Sequence, residues 1–201
     1  MFFGPLTASQ YETFVTNTYS GPAGPGGASG TAAAVLAKYP VHAYPSPSLA
    51  YVAEQTDPTA CRARHLNMLV DQWVPLWAYE FEDRHAPWYF PPLSFPHGAA
   101  HTIDIQFLFP NWHGGPLGRR HSLTAEEQEL SDELVAAWTS FMYSGNPILH
   151  GNEPWPQFTG SSEKYLAENV PSLSTPSDGY FSAEHNCAFW DKILIYTTPS
   201  T

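Results

Sequence analysis

Positive charge is scarce in this sequence. Its 201 residues carry 8 Lys and Arg against 19 Asp and Glu, a formal net charge of -11. A nucleic-acid backbone or an anionic membrane surface would be repelled by such a chain, so neither is an expected partner. Long apolar runs are absent as well: no stretch of eighteen apolar residues exists to span a bilayer. The opening MFFGPLTASQ lacks the basic and apolar regions of a secretion signal. It runs straight into an amphipathic pattern, which is expected of a chain cut from something longer. Cysteine is limited to Cys61 and Cys187. No repeat of 20 to 50 residues is present, which excludes solenoids and propellers. What is abundant is apolar material: 43% hydrophobic and 15% aromatic residues suffice for one sizeable core, so a soluble domain, or part of one, is expected.

Helices are easier to read than strands. Residues 7 to 18 and 31 to 38 have helical spacing, and SGPAGPGGASG between them reads as a glycine and proline loop. Asp57 as N-cap with Pro58 at the first helical position predicts a helix bearing Cys61, His65, Leu66, Leu69 and Val70 on one face. LWAYEFED, residues 76 to 83, alternates and is aromatic, as a strand would be, whereas APWYFPPLSFPH has too many prolines for regular structure. The pair Thr124 and Glu127 forms a capping box for a helix over 125 to 143. That helix carries a stripe of Leu130, Leu134, Trp138 and Phe141 and stops at Gly145 and Pro147. EKYLAENV predicts a short strand, and Ser182 the cap of a last helix with Cys187, Phe189, Trp190, Ile193 and Leu194. Trp138, Phe141 and Trp190 are expected in the core.

Read in order, TDPTACRARHL, WAYEFEDR, GAAHTIDIQFLF, LTAEEQELSDELVAAWTSFMYSGNP, WPQF and NCAFWDK resemble the C-terminal part of type B carboxylesterases, the family of cholinesterases and p-nitrobenzyl esterases. The resemblance runs from about Leu6 to Leu194. It implies an α/β fold, the C-terminal portion of an α/β-hydrolase, helix-rich with a few strands and an incomplete central sheet. Residues 1–201 would then be a C-terminal fragment of a single carboxylesterase domain. In that fold a serine, an acid and a histidine follow one another along the chain and act in acyl transfer. His101 matches the family's catalytic histidine. A neutral imidazole takes a serine proton and returns it to the leaving alkoxide within one turnover at neutral pH. Asp104 stands where relatives carry an acidic residue after the pattern HGxE, a residue that supports the site without joining the triad. Thr102 replaces the glycine of that pattern, which narrows the backbone conformations beside the base.

No GxSxG nucleophile elbow occurs: GGASGT around Ser29 has the wrong spacing, and Ser144 sits at a helix end. The family's acid would lie upstream of MFFGPLTASQ, and Glu12 is misplaced to substitute for it. WHGGP, residues 112 to 116, imitates an oxyanion loop but follows His101 instead of preceding the nucleophile. Two other readings of His101 stay open. It is an ordinary hydrogen-bonded loop histidine, or it joins His97 and Asp104 as a metal ligand, although Pro96 and Gly98 oppose the helix that such spacing needs.

The resemblance also pairs Cys61 with Cys187 in a disulfide, which implies an oxidising compartment and a secreted parent protein. Two buried thiols in a reducing cytosol are the alternative. Trp88, Tyr89, Phe90 and Phe95 lead into His101 and either line an acyl or alcohol pocket or pack the loop onto the body. The expected function is carboxylic-ester hydrolysis through an acyl-enzyme, with a small ester as substrate and no cofactor or metal. The chain is expected to supply His101 alone and to be inactive without the missing N-terminal half of the domain. A non-catalytic cholinesterase-like binding or adhesion domain is the alternative.

Overall fold

The computed structural model describes residues 5–20, 30–151 and 154–194. The loop expected between the first two helices lies largely outside the described residues. The chain divides into two units, one of Met1–Leu66 with Tyr180–Thr201 and one of Asn67–Gly179.

The first unit begins with α1 (Ala8–Tyr19), capped reciprocally by Thr7 and Gln10, and α2 (Thr31–Lys38). Both agree closely with the sequence pattern. Helix α3 (Pro47–Val70) corrects it. The helix starts eleven residues earlier than expected, where Ser46 Oγ accepts the Leu49 amide just ahead of Pro47. Pro58 is therefore interior, and the Glu54 carbonyl goes without the amide a non-proline residue would donate. Asp57 is no cap. Its buried carboxylate accepts from Tyr39 at 2.6 Å and Asn186 at 2.8 Å and lies 3.2 Å from His185 Nδ1. Those tertiary bonds occupy the oxygens a cap would offer to amides. On the expected apolar face Cys61 is buried, but Leu66 is 59% exposed.

The end of the chain is corrected as well. Ser182 lies inside α6 (Tyr180–Glu184) instead of capping a continuous helix, and α7 (Cys187–Trp190) follows separately. Asn186 separates them with a φ of 54°, its amide committed to Asp57. Cys61 and Cys187 form a disulfide within this unit. Around it pack Tyr11, Val15, Tyr19, Val35, Tyr39 and Trp190, all fully or almost fully buried. Burying so many tyrosines requires partners for their hydroxyls. Tyr11 donates to the Tyr39 carbonyl, Tyr19 to Glu54, and Tyr39 to Asp57, while Trp190 Nε1 donates to the Tyr39 hydroxyl at 2.7 Å.

The second unit holds strand β1 (Tyr79–Phe81), helix α4 (Ile105–Leu108), helix α5 (Ala125–Ser144) and strand β2 (Leu166–Glu168). The strands pair in parallel, with Tyr79 opposite Leu166 and Phe81 opposite Glu168. Each is shorter than its sequence pattern. Helix α5 has the expected capping box at Thr124 and Glu127 and a left-handed Gly145 at its end. Leu130 and Leu134 are buried, but Trp138 and Phe141 are 36% and 43% exposed, contrary to expectation. Together with Trp77, Tyr79 and Trp155 they line an apolar cleft of about 170 Å³. The stripe of α5 is wider than the core beneath it, so only its first half is covered. That core consists of Ala86, Tyr89, Ile103, Phe107, Leu130 and Leu134. Ser131 ties α5 to α4 by donating to the Phe107 carbonyl at 2.5 Å. The proline-rich segment 86 to 97 has no regular structure, as expected.

Candidate active site

His101 is the first residue of a turn over 101 to 104 that feeds α4, and its side chain is exposed. Local bonds close the turn: Ile103 N donates to Ala100 O at 3.1 Å and Ile105 N to Thr102 O at 3.2 Å. Apolar anchoring does the rest, because Ile103 and Phe107 are completely buried on either side of Asp104. Gln106, also buried, donates from Nε2 to the Pro87 and Ile103 carbonyls at 2.8 and 3.1 Å, which fastens the turn to the start of the proline-rich segment. The imidazole itself makes no hydrogen bond among the described residues. An exposed ring on a rigidly seated backbone is free to meet a second proton carrier.

Thr102 carries the strain of the turn. Its φ is 76°, in the left-handed region that a β-branched residue seldom enters and that costs about 1–3 kcal/mol. The Tyr89 hydroxyl holds it there, donating to the Thr102 carbonyl at 2.8 Å and lying 2.7 Å from Thr102 Oγ1. Tyr89 is 1% exposed and belongs to the core. Its neighbours pack likewise: Trp88 Nε1 donates to the Pro91 carbonyl, and the Trp88 ring stacks on His97 with centroids 5.1 Å apart. At Trp88 and Tyr89 the aromatic run therefore fixes the loop onto the body of the unit.

One glycine of WHGGP has a packing explanation. Gly114 has φ +73°, and a Cβ there would lie 2.5 Å from the Tyr89 ring, so only glycine lets this loop close over that ring. His97, His101 and Asp104 do not bring their ligand atoms within 4.8 Å of one another, and His97 Nδ1 is engaged at 2.6 Å with the Gly98 carbonyl. This arrangement does not fit a metal.

Asp104 is half-buried at the N-cap of α4 but makes no side-chain capping bond. Its charge acts on two groups of the small sheet. Glu168, at the end of β2, is 1% exposed, and its Oε1 has no hydrogen-bond partner among the described residues. Burial holds its carboxyl well above the usual carboxylate range, and the Asp104 charge adds to that. Burial also pushes the Tyr79 hydroxyl up to about 12, with Glu168 and Asp104 contributing. Sequence reasoning named Tyr89 only among the loop aromatics and missed Glu168 and the reciprocal Tyr89–Thr102 bond. The strand pattern EKYLAENV gave no sign that its glutamate is buried, and nothing links positions 89 and 102 along the chain.

Residues 58–190 match the model of the carboxylesterase family. The chain belongs to that family. Its matched span includes His101 and both cysteines, and membership implies an α/β-hydrolase fold. A helix-rich chain with a small parallel sheet is consistent with part of such a domain. Among curated relatives, cocaine esterase of Homo sapiens is 28% identical over 160 residues, covering 72% of this chain and 27% of the relative. Acetylcholinesterase of Gallus gallus is 33% identical over 120 residues, 59% of this chain and 14% of the relative. Carboxylesterase 3 of Pongo abelii is 32% identical over 150 residues, 68% of this chain and 23% of the relative. The chain thus spans no more than about a quarter of the length of these family members.

Proposed function

We propose that this chain is the C-terminal portion of a carboxylic-ester hydrolase of the serine type and that His101 is its general base and acid. Family membership over residues 58–190 is the observation that carries the reading. The exposed imidazole at the head of a tightly anchored turn supports it. In this mechanism His101 removes the proton of a serine outside these 201 residues as that oxygen attacks the ester carbonyl, then gives the proton to the departing alkoxide. Water repeats the sequence to release the acid. Protein groups suffice for every step of this mechanism, so no cofactor is required. Asp104 stands beside the base as its acidic companion, at the N-cap of α4. The central sheet is completed, and the acid and oxyanion amides are supplied, by the same outside segment. The 201 residues alone do not hydrolyse esters. The disulfide supports secretion of the parent protein, since such bonds persist in oxidising compartments.

A chimera tests the role of His101. Residues 58–190 replace the aligned stretch of a matched carboxylesterase, and hydrolysis of a p-nitrophenyl ester is followed. His101→Ala is expected to lower kcat at least about a thousandfold with KM little changed. A folded chimera equally active with alanine at 101 overturns the assignment.

A further inference from the structure

We propose that Tyr89 is a positioning residue for the base: its hydroxyl holds Thr102 in the left-handed conformation and thereby sets the direction in which the His101 imidazole leaves the turn. The inference rests on reading His101 as the base and extends it to a group thirteen residues upstream.

The geometry is reciprocal. Tyr89 has one hydroxyl proton, which goes to the Thr102 carbonyl at 2.8 Å. At 2.7 Å the Thr102 hydroxyl then donates its own proton to the Tyr89 oxygen. Both polar groups of Thr102 that lie C-terminal to its φ bond are thereby fixed by one side chain. That carbonyl also accepts the Ile105 amide that begins the run into α4. A left-handed threonine released from these bonds relaxes toward negative φ, because its branched Cβ crowds the backbone there. Rotation about that bond swings the peptide joining it to His101, and the imidazole moves with it.

Tyr89 itself cannot follow. Its ring is 1% exposed, lies against Phe90 with centroids 4.7 Å apart, and is covered by the backbone of Gly114. The Arg119 amide donates to its carbonyl at 2.7 Å, so the loop over 112 to 119 is fastened to the same residue. Gly114, Tyr89, Thr102 and His101 form one line of contact from a surface loop to the base. A glycine at 102 would adopt this φ unaided. The hydroxyl of Tyr89 is thus needed only because position 102 is threonine, and this dependence separates positioning from general core packing.

The test uses the 201-residue chain with labelled histidine and follows the His101 ring resonances by NMR in the parent, Tyr89→Phe, Thr102→Gly and the double variant. Phenylalanine keeps the ring and removes only the hydroxyl. Tyr89→Phe is expected to shift and broaden the His101 ring signals in the threonine background and to leave them unchanged in the glycine background. Unchanged signals in the threonine background, or equal shifts in both, overturn the proposal. Should Tyr89→Phe unfold the turn, the double variant decides: a parent-like His101 spectrum supports positioning, and an unfolded one assigns the hydroxyl to core stability. Gly114→Ala supplies a second route, since its methyl meets the Tyr89 ring, and its perturbation of His101 is likewise expected to fade in the glycine background. The readout is ring placement and does not depend on ester turnover, so a failure here is distinct from a failure of the esterase assay.

Discussion

Each unit buries a carboxylate, and the two are treated in opposite ways. Asp57 has hydrogen-bond partners on both oxygens. Burial alone would raise it, yet the bonds from His185, Tyr39 and Asn186 outweigh burial and hold its carboxyl below the usual range. Glu168 is as deeply buried, but Oε1 is unpartnered among the described residues and the charge that acts on it, Asp104, is of its own sign. Bonded networks make a core unique, whereas unsatisfied groups and strained backbone are tolerated where a site needs them. That Thr102 and Glu168 both belong to the unit carrying His101 fits this division.

Breaking the better-bonded side of the comparison produces the largest effects. The disulfide joins residues 126 apart in sequence, and closing so long a loop stabilises by about 4–5 kcal/mol in the chain-entropy account. Replacing Cys61 and Cys187 together by alanine is expected to lower the unfolding free energy by that order, read from urea titration of the tryptophan signal. Loss of less than about 1 kcal/mol would show that the unit is held by its tyrosine and tryptophan network instead.

Next in size is Asp57→Ala, which strips three side chains of their partner and leaves His185 buried without its carboxylate. The expected cost is about 3 kcal/mol. The sign of its pH dependence follows from a depressed folded value. Asp57 contributes stability above the unfolded value of roughly 3.9, and that contribution is lost as pH falls through the folded value. The parent is therefore expected to lose more stability in acid than Asp57→Ala does, and parallel acid titrations of the two would refute the network.

The same residues show what the sequence made legible. Helix α5 was readable end to end because its signals are local: a capping box three residues wide and a glycine one residue past the last turn. Asp57 and Pro58 imitate such a start, but the aspartate faces partners from residues 39, 185 and 186, which no window along the chain contains. Tertiary demand overrode the local signal. Ser182 misled for the same reason, since the interruption belongs to Asn186 and its bond to Asp57. At the candidate site, the motif and its threonine in place of glycine were visible in the sequence. The left-handed backbone at Thr102 and the hydroxyl that holds it were not, because the pairing of 89 with 102 is made only by folding.

The smallest effect sharpens the other side of the comparison. A carboxyl whose folded value is raised contributes stability that is fully present below the unfolded value of roughly 4.3 and is lost as pH rises toward the folded value. Glu168 is therefore a liability that grows with pH, opposite in sign to Asp57. Glu168→Gln preserves shape and is neutral throughout, so it does not share that loss. Relative to the parent, the variant is expected to gain stability as pH rises above the unfolded value, followed by urea unfolding at a series of pH values. Glu54→Gln is the control. Burial raises Glu54 as well, yet Tyr19 and Gln55 donate to its two oxygens and oppose the rise. A glutamine there keeps one acceptor oxygen but turns its amide nitrogen toward the second donor, so at low pH it is expected to destabilise where Glu168→Gln does not. A pH-independent difference between parent and Glu168→Gln would mean that the carboxyl finds water or a cation on ionising, and the contrast between the two buried acids would disappear.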